Sequence, residues 1–131
     1  MKKLSFVALL FLTLCLTSCG GSDGDDQTKE QTIDKSLIVG RWTTDDGMYF
    51  EVYNSDGTGK FWDLNDDVQE EEAQTFTWEF DEGADDKFFQ YHQQESGSVV
   101  PQYCNILELT STTFKYNNEG LRATYNLVRV K

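Results

Sequence analysis

Alternation of large apolar and polar residues is the feature that most constrains how this chain can fold. Residues 74–80 show it most clearly. Phe76, Trp78 and Phe80 alternate there with Thr or Glu. A period of two residues predicts a β-strand with one buried and one solvated face, which is typical of antiparallel sheets. After residue 36 the chain has almost no apolar repeat of 3.6 residues, so we do not expect helices to form its core.

Turn signals separate several β-prone runs. Asp56-Gly57 lies between two aromatic runs, a setting that strongly indicates a β-hairpin, and Gly120 ends a similar turn near the C-terminus. We count eight runs, in residues 38–43, 48–53, 59–63, 74–80, 87–91, 103–109, 112–116 and 121–128. Short strands at this spacing predict an all-β protein, either a sandwich or an antiparallel up-and-down β-barrel of about eight strands.

An acidic segment follows the third run. Residues 65–74 contain only Val68 and Ala73 as apolar residues, so we predict an exposed loop there rather than a helix. The stretch from Asp63 begins like a calcium loop, but Val68 stands where Gly is needed and Gln74 where a bidentate Glu is needed. We therefore predict no metal site, while weak calcium binding at residues 63–72 stays open.

The N-terminus has the pattern of a secretion signal. A positive start, Met1-Lys2-Lys3, precedes an apolar stretch at 4–16, which is too short for a membrane span of ~20 residues. The stretch ends in Leu16-Thr17-Ser18-Cys19, which resembles the lipobox of bacterial lipoproteins. The resemblance implies cleavage before Cys19 and attachment of lipid, including palmitate, to that cysteine. Residues 1–18 are thus predicted to be a lipoprotein signal peptide.

The segment after the predicted cleavage site reads as a tether. Residues 19–35 are rich in Gly, Asp, Gln and Glu with almost no apolar content, as in disordered linkers. The run at 22–26 resembles acidic tags that send lipoproteins to the cell surface in some bacteria with two membranes, although a plain solvated tether is the alternative. We expect a lipid-anchored protein of the outer membrane that faces outward, with one domain at 36–131.

The charge balance restricts the classes of partner. Removing Lys2 and Lys3 leaves 9 of the 11 Lys and Arg residues against 23 Asp and Glu, a net charge of −14. Nucleic-acid binding requires clusters of Lys and Arg that neutralise phosphates, so we expect no nucleic-acid partner. A cationic partner is compatible with this charge.

Cysteine and histidine are too few for the common catalytic and metal sites. Cys15 leaves with the signal and Cys19 is lipidated, so Cys104 has no intramolecular disulfide partner, and we predict a buried small side chain in a strand rather than a reactive thiol. His92 is the single histidine, which leaves no zinc spacing, and no nucleophile elbow or phosphate loop is present. Carboxylate pairs for glycoside hydrolysis remain open in so acidic a chain. We expect no enzyme and no cofactor.

Several short motifs in residues 36–131 are similar to the lipocalin-like domains of bacterial surface lipoproteins. Gly40-x-Trp42 matches the Gly-x-Trp of the first lipocalin strand, and further similarity lies at 54–59, 76–78 and 106–110. The resemblance implies that Trp42 closes the base of the barrel beneath an Arg of the last strand, Arg122 or Arg129. The chain is shorter than true lipocalins and has no C-terminal helical pattern, so an open or a filled lumen are both compatible with it.

Aromatic residues on both faces of the run at 48–53 suggest a binding surface. We predict that the barrel mouth binds a small apolar or amphipathic (hydrophobic) ligand, with the candidate contacts Tyr49, Tyr53, Trp62 and Tyr91. Plain packing of these side chains is the alternative. In that case we expect a protein-interaction or inhibitor module with a filled barrel, whose acidic loop at 63–72 meets a cationic protein.

Overall fold

Hydrogen bonding between successive strands closes into a ring in this structure, a computed structural model that describes residues 32–131. The strands are β1 (Gly40–Thr43), β2 (Tyr49–Tyr53), β3 (Thr58–Asp63), β4 (Gln74–Phe80), β5 (Lys87–Gln93), β6 (Val99–Leu109), β7 (Thr113–Asn118) and β8 (Ala123–Arg129). Short 3-10 turns span Lys35–Ile38, Leu64–Asp66 and Glu70–Glu72.

Every strand pairs antiparallel with the next along the chain, and β8 pairs with β1 through Trp42↔Arg129 and Thr43↔Val128. Closure removes the exposed edges that an open sheet would present to other chains. The prediction of an all-β, eight-stranded antiparallel barrel is confirmed, and the sandwich alternative is wrong.

Seven of the eight strands differ from the predicted runs by one to four residues at one end or both. The chain enters β1 at Gly40 because Lys35–Ile38 forms a 3-10 turn, with the side chain of Asp34 accepting from the Ser36 amide at 3.1 Å. Strand β6 begins at Val99, four residues earlier than predicted, because 99–103 pair with β5 despite Pro101. No α-helix forms in the acidic stretch between β3 and β4, which is the predicted exposed loop with two 3-10 turns.

Aromatic side chains fill one half of the barrel. The ring of Tyr53 lies at the centre of this cluster, with its centroid 5.4 Å from Phe76, 5.5 Å from Trp78 and 5.6 Å from Phe114. The inward face of β4 provides two of these rings, as its alternation predicts. Packing of such rings edge to face stabilises the core beyond the area that it buries.

The end of the barrel below this cluster is closed by Trp42. Its indole Nε1 donates to the carbonyl of Ile38 at 2.9 Å, and the guanidinium carbon of Arg129 lies 4.2 Å from its ring centroid. Arg122, the other candidate, lies in the exposed turn between β7 and β8, where its φ is 53°. Successive turns of an up-and-down barrel alternate between its ends, so this turn belongs to the end opposite Trp42.

The predicted signal peptide (1–18), the lipidation site Cys19 and most of the tether (19–35) lie outside the described residues. Thr32–Lys131 forms one compact unit with its own core. Within that unit no helix is long and apolar enough to cross a membrane. Nor does any group of three or more His, Cys, Asp or Glu side chains in residues 32–131 form a metal site, at the acidic loop or elsewhere.

Candidate binding cavity

A cavity of about 960 Å³ occupies the end of the barrel opposite Trp42. Its rim is formed by residues 73–75 at the start of β4, by residues 93–96 at the β5–β6 turn, and by Leu121 in the β7–β8 turn. Because the aromatic core fills only the other half, the lumen opens at this end. The volume is that of a typical small-molecule site, about 300–1,000 Å³.

Aromatic side chains from five strands form the apolar part of the cavity wall. They are Tyr49, Phe61, Phe76, Tyr116 and Tyr125. The rings of Tyr116 and Tyr125 are stacked with centroids 4.9 Å apart and planes 16° apart, and Tyr49 lies 5.6 Å from Tyr125. These contacts fix the ring faces, so the apolar wall is preorganised.

Polar side chains form the remainder of the wall. They are mainly amides, with Gln74, Gln90, Gln102, Asn118 and the imidazole of His92. Asn118 donates to Gln102 at 2.6 Å, which joins β7 to β6 across the wall. The acids of the lining are Glu51 and Glu95, and no Lys or Arg among the described residues lines the cavity.

Glu51 lies at the floor of the cavity with 2% of its surface exposed. Its Oε1 accepts from the hydroxyls of Tyr49 at 2.8 Å and Tyr116 at 2.5 Å, and its Oε2 accepts from Tyr53 at 2.7 Å. Three hydroxyl donors partly replace the water that a carboxylate loses on burial. The side chain is thus held rigidly at the boundary between the filled and the open half.

A chain of hydrogen bonds runs from the middle of the wall to this carboxylate. The Nε2 of His92 lies 3.0 Å from the Oε1 of Gln90, so the imidazole donates to the amide oxygen. The Nε2 of Gln90 then donates to the Tyr53 hydroxyl at 2.6 Å, and Tyr53 donates to Glu51. No buried side-chain nitrogen or oxygen in residues 32–131 lacks a partner.

Burial dominates the titration of these groups. It raises the pKa of Glu51 above its ordinary value, and the hydrogen bonds from Tyr116, Tyr53 and Tyr49 offset part of that rise. Burial lowers the pKa of His92, so the imidazole is neutral near pH 7. It also raises the pKa of Tyr53 and Tyr116, where the charge of Glu51 adds to the effect. The tyrosines therefore act as hydrogen-bond donors, not as bases.

The alternation of β2 positions this carboxylate. Tyr49, Glu51 and Tyr53 share the inner face, and Glu51 stands opposite Phe61 on β3. Gly59 stands opposite Tyr53, and a Cβ there would lie 2.5 Å from the Phe76 ring and 2.6 Å from the Val52 carbonyl. Glycine at 59 therefore lets Phe76 pack across β3 beneath the cavity.

The structure separates the four candidate contacts that the sequence suggested. Tyr49 lines the cavity, and Tyr53 is buried beneath it with 1% exposure. Trp62 and Tyr91 lie on the outer surface of the barrel and do not line the cavity, so their assignment to the same mouth as Tyr49 is corrected. The physical reason is the period of two, which places Phe61 and His92 inside and their neighbours outside.

Trp62 is buried on the outside by a surface cluster. Its ring stacks on Phe50 at 4.9 Å, and the guanidinium carbon of Arg41 lies 4.9 Å from its centroid. Glu70 of the acidic loop accepts from both Arg41 and Lys60, at 2.7 and 2.8 Å, and these partners lower its pKa to about 2. Phe50, Arg41 and Lys60 therefore cover Trp62, with Glu70 holding both cations, which explains why an outward-facing Trp is only 3% exposed.

The two remaining predicted residues, Tyr91 and Cys104, do not line the cavity. Tyr91 is half-buried on the outer face of β5 and donates to Glu79 at 2.7 Å. Cys104 is buried in β6, as predicted, and burial raises the pKa of its thiol to about 12. A thiol of that pKa is not a nucleophile near neutral pH.

Sequence reasoning missed Glu51, Gln90, Tyr116 and Tyr125 as parts of the site. One signal for Glu51 was present, because the acid replaces an apolar residue on a face whose other members are Tyr49 and Tyr53. An acid in phase with a buried aromatic face is unusual, since charged side chains are rarely fully buried without partners. Gln90 gives a similar signal, because this polar residue lies on the same face of β5 as Phe88.

No family model matches the chain, and no curated protein or solved structure matches it significantly. The resemblance to lipocalin-like lipoprotein domains therefore stays a prediction from short motifs, while the barrel itself stands on its hydrogen bonding.

Proposed function

We propose that this chain is a non-catalytic, lipid-anchored protein of the cell envelope whose barrel binds a small amphipathic ligand. The observation that carries the proposal is the cavity of about 960 Å³ at the open end, with ring faces on one part of its wall and amide groups on another. Pockets that combine aromatic walls with a few fixed polar groups are typical of small-molecule sites. The aromatic rings would contact the apolar part of the ligand, and the amides would orient its polar part.

Native mass spectrometry tests the ligand directly. A soluble chain of residues 20–131 keeps the whole compact unit, and it is exposed to membrane extract of the producing cell before analysis. We expect a stoichiometric adduct that disappears in denaturant. A bare chain at its sequence mass would contradict the proposal and favour the protein-interaction alternative.

Two matched variants show whether an adduct occupies the cavity. Gln102→Trp fills part of the lumen from its wall, whereas Thr77→Trp adds the same side chain on the exposed outer face of β4. We expect the first variant to lose the adduct and the second to keep it. Equal adducts on both variants would mean binding to another surface.

The anchor and location have a separate test. The proposal rests on Cys19 in the Leu16-Thr17-Ser18-Cys19 motif and on the acidic tether after it. Cys19→Ala is expected to abolish labelling by radioactive palmitate and to release the protein from the membrane fraction, while Cys104→Ala should leave both unchanged. Protease added to whole cells should digest the wild-type protein if it faces outward from the outer membrane.

A further inference from the structure

The carboxylate of Glu51 has no cationic partner in the lumen. Among the described residues no Lys or Arg lines the cavity, and burial makes the single imidazole of the wall neutral. A buried carboxylate is costly unless hydrogen bonds and an opposite charge compensate it. Three hydroxyls supply the hydrogen bonds, whereas the described side chains supply no opposite charge.

One acceptor position on this carboxylate is still open. Each carboxylate oxygen has two lone pairs, and Oε1 uses both for Tyr49 and Tyr116. Oε2 accepts only from Tyr53 among the described residues. Oε2 therefore keeps one acceptor position that no described residue uses.

The surroundings of the open position favour a cation. The half-buried rings of Tyr49 and Tyr125 line the cavity near this carboxylate, and aromatic rings attract ammonium groups. Glu95 at the rim adds a second negative charge, and the full sequence carries a net charge of −12. A field of this sign attracts cationic ligands and repels anionic ones.

We propose that the ligand of this cavity is an amphipathic amine, whose ammonium group binds Glu51 beside the rings of Tyr49 and Tyr125. This inference rests on the proposed function, because it assigns the head group of the ligand that the cavity binds. The apolar part of the amine lies against Phe61 and Phe76 of the cavity wall. The same geometry disfavours fatty acids and other anionic amphiphiles.

Three eight-carbon probes with different head groups test the assignment. Octylamine, 1-octanol and octanoate are titrated into residues 20–131 by calorimetry at about pH 8, where an alkylamine is protonated because its pKa is near that of lysine, about 10.4. We expect octylamine to bind at least about tenfold more tightly than 1-octanol, which corresponds to about 1.4 kcal/mol, and octanoate to bind most weakly.

Variants identify the group that recognises the charge. Glu51→Gln keeps the shape of the side chain and is expected to bring octylamine to within about twofold of 1-octanol, an effect of the lost ion pair alone. Glu79→Gln removes an acid from the exposed outer face and should keep the tenfold preference. Tyr125→Leu, at a half-buried position, should weaken octylamine more than 1-octanol if the ring face contributes.

The outcomes separate this inference from the proposed function. Equal binding of octylamine and 1-octanol to the wild-type protein, or tightest binding of octanoate, overturns the amine assignment and leaves a ligand-binding barrel. If none of the three probes binds, and Gln102→Trp changes no other adduct, both the amine and the small-ligand function are overturned. The head-group comparison uses the wild-type protein, so it holds even if Glu51→Gln fails to fold.

Discussion

The guanidinium of Arg129 lies over the ring of Trp42, with its central carbon 4.2 Å from the ring centroid. Arg129 also donates to three backbone carbonyls, those of Leu37, Val39 and Ser111. One side chain at the end of β8 thereby joins the 3-10 turn before β1, its C-cap Val39 and the β6–β7 turn. The base of the barrel depends on this single cation.

Replacing Arg129 by Met should destabilise the barrel by about 2–4 kcal/mol. The variant keeps much of the length of the side chain but leaves three carbonyls without a charged donor, and each such bond contributes about 1.5–3 kcal/mol at most. Urea unfolding, followed by the fluorescence of the tryptophans, measures the change. Arg122→Met, in the exposed β7–β8 turn, is the matched control and should cost less than about 0.5 kcal/mol. Equal losses for both variants would contradict the assignment of Arg129 to the base.

Gly40→Ala should cost about 2–4 kcal/mol for two separate reasons. The residue has φ 144°, which an L side chain rarely adopts, and an added Cβ would overlap Nη1 of Arg129. Gly97 has φ 90° with nothing near an added Cβ, so Gly97→Ala carries the backbone cost alone, about 1–2 kcal/mol. The difference between their free energies of unfolding reports the contact with Arg129 together with the difference between the two backbone conformations. A smaller loss at Gly40 than at Gly97 would show that Arg129 moves aside freely.

The contribution of Glu51 to stability should fall as the pH rises. Burial raises its pKa in the folded protein above the ordinary value of 4.5, so the folded state binds the proton more tightly than the unfolded chain. The stabilisation is complete below about pH 4.5 and is lost as the pH rises towards and through the pKa of the folded state, by up to about 1.4 kcal/mol per pH unit.

Unfolding of the wild-type protein and Glu51→Gln between about pH 4 and pH 8 isolates this effect, because His92 and the other titrating groups are present in both. We expect the stability of the wild type relative to the variant to decrease with rising pH. An increase would mean that the hydroxyls of Tyr49, Tyr53 and Tyr116 hold the pKa below 4.5.

Period and turn chemistry were enough to predict an all-β chain of eight short strands. Phe76, Trp78 and Phe80 alternate strictly with polar residues, so the inner face of β4 follows from the sequence, and Asp56-Gly57 sets the hairpin between β2 and β3. The choice between sandwich and barrel needed the pairing of β1 with β8, which joins residues about ninety positions apart and leaves no local signal.

The cavity was less accessible to sequence reasoning. Strand β2 is aromatic on both faces, so alternation alone did not say whether Tyr49 or Phe50 faces the lumen. Trp62 looked exposed because its cover, Arg41 with Glu70, comes from two other segments. The partners of Glu51 were equally hard to predict, because Tyr116 follows Glu51 by 65 residues in the sequence.

Cys104 should react only when the barrel unfolds. Burial raises the pKa of its thiol to about 12, so almost no thiolate exists near pH 8, and the side chain is 1% exposed. In residues 20–131 Cys104 is the single cysteine. Its rate of reaction with a disulfide reagent should rise at least about a hundredfold across the urea transition. In the unfolded chain the reagent reaches the thiol without waiting for the barrel to open. Cys104→Val combined with Val99→Cys moves the thiol to a side chain with 57% exposure and should react rapidly without urea. A native rate for Cys104 equal to that of the exposed thiol would contradict its burial in β6.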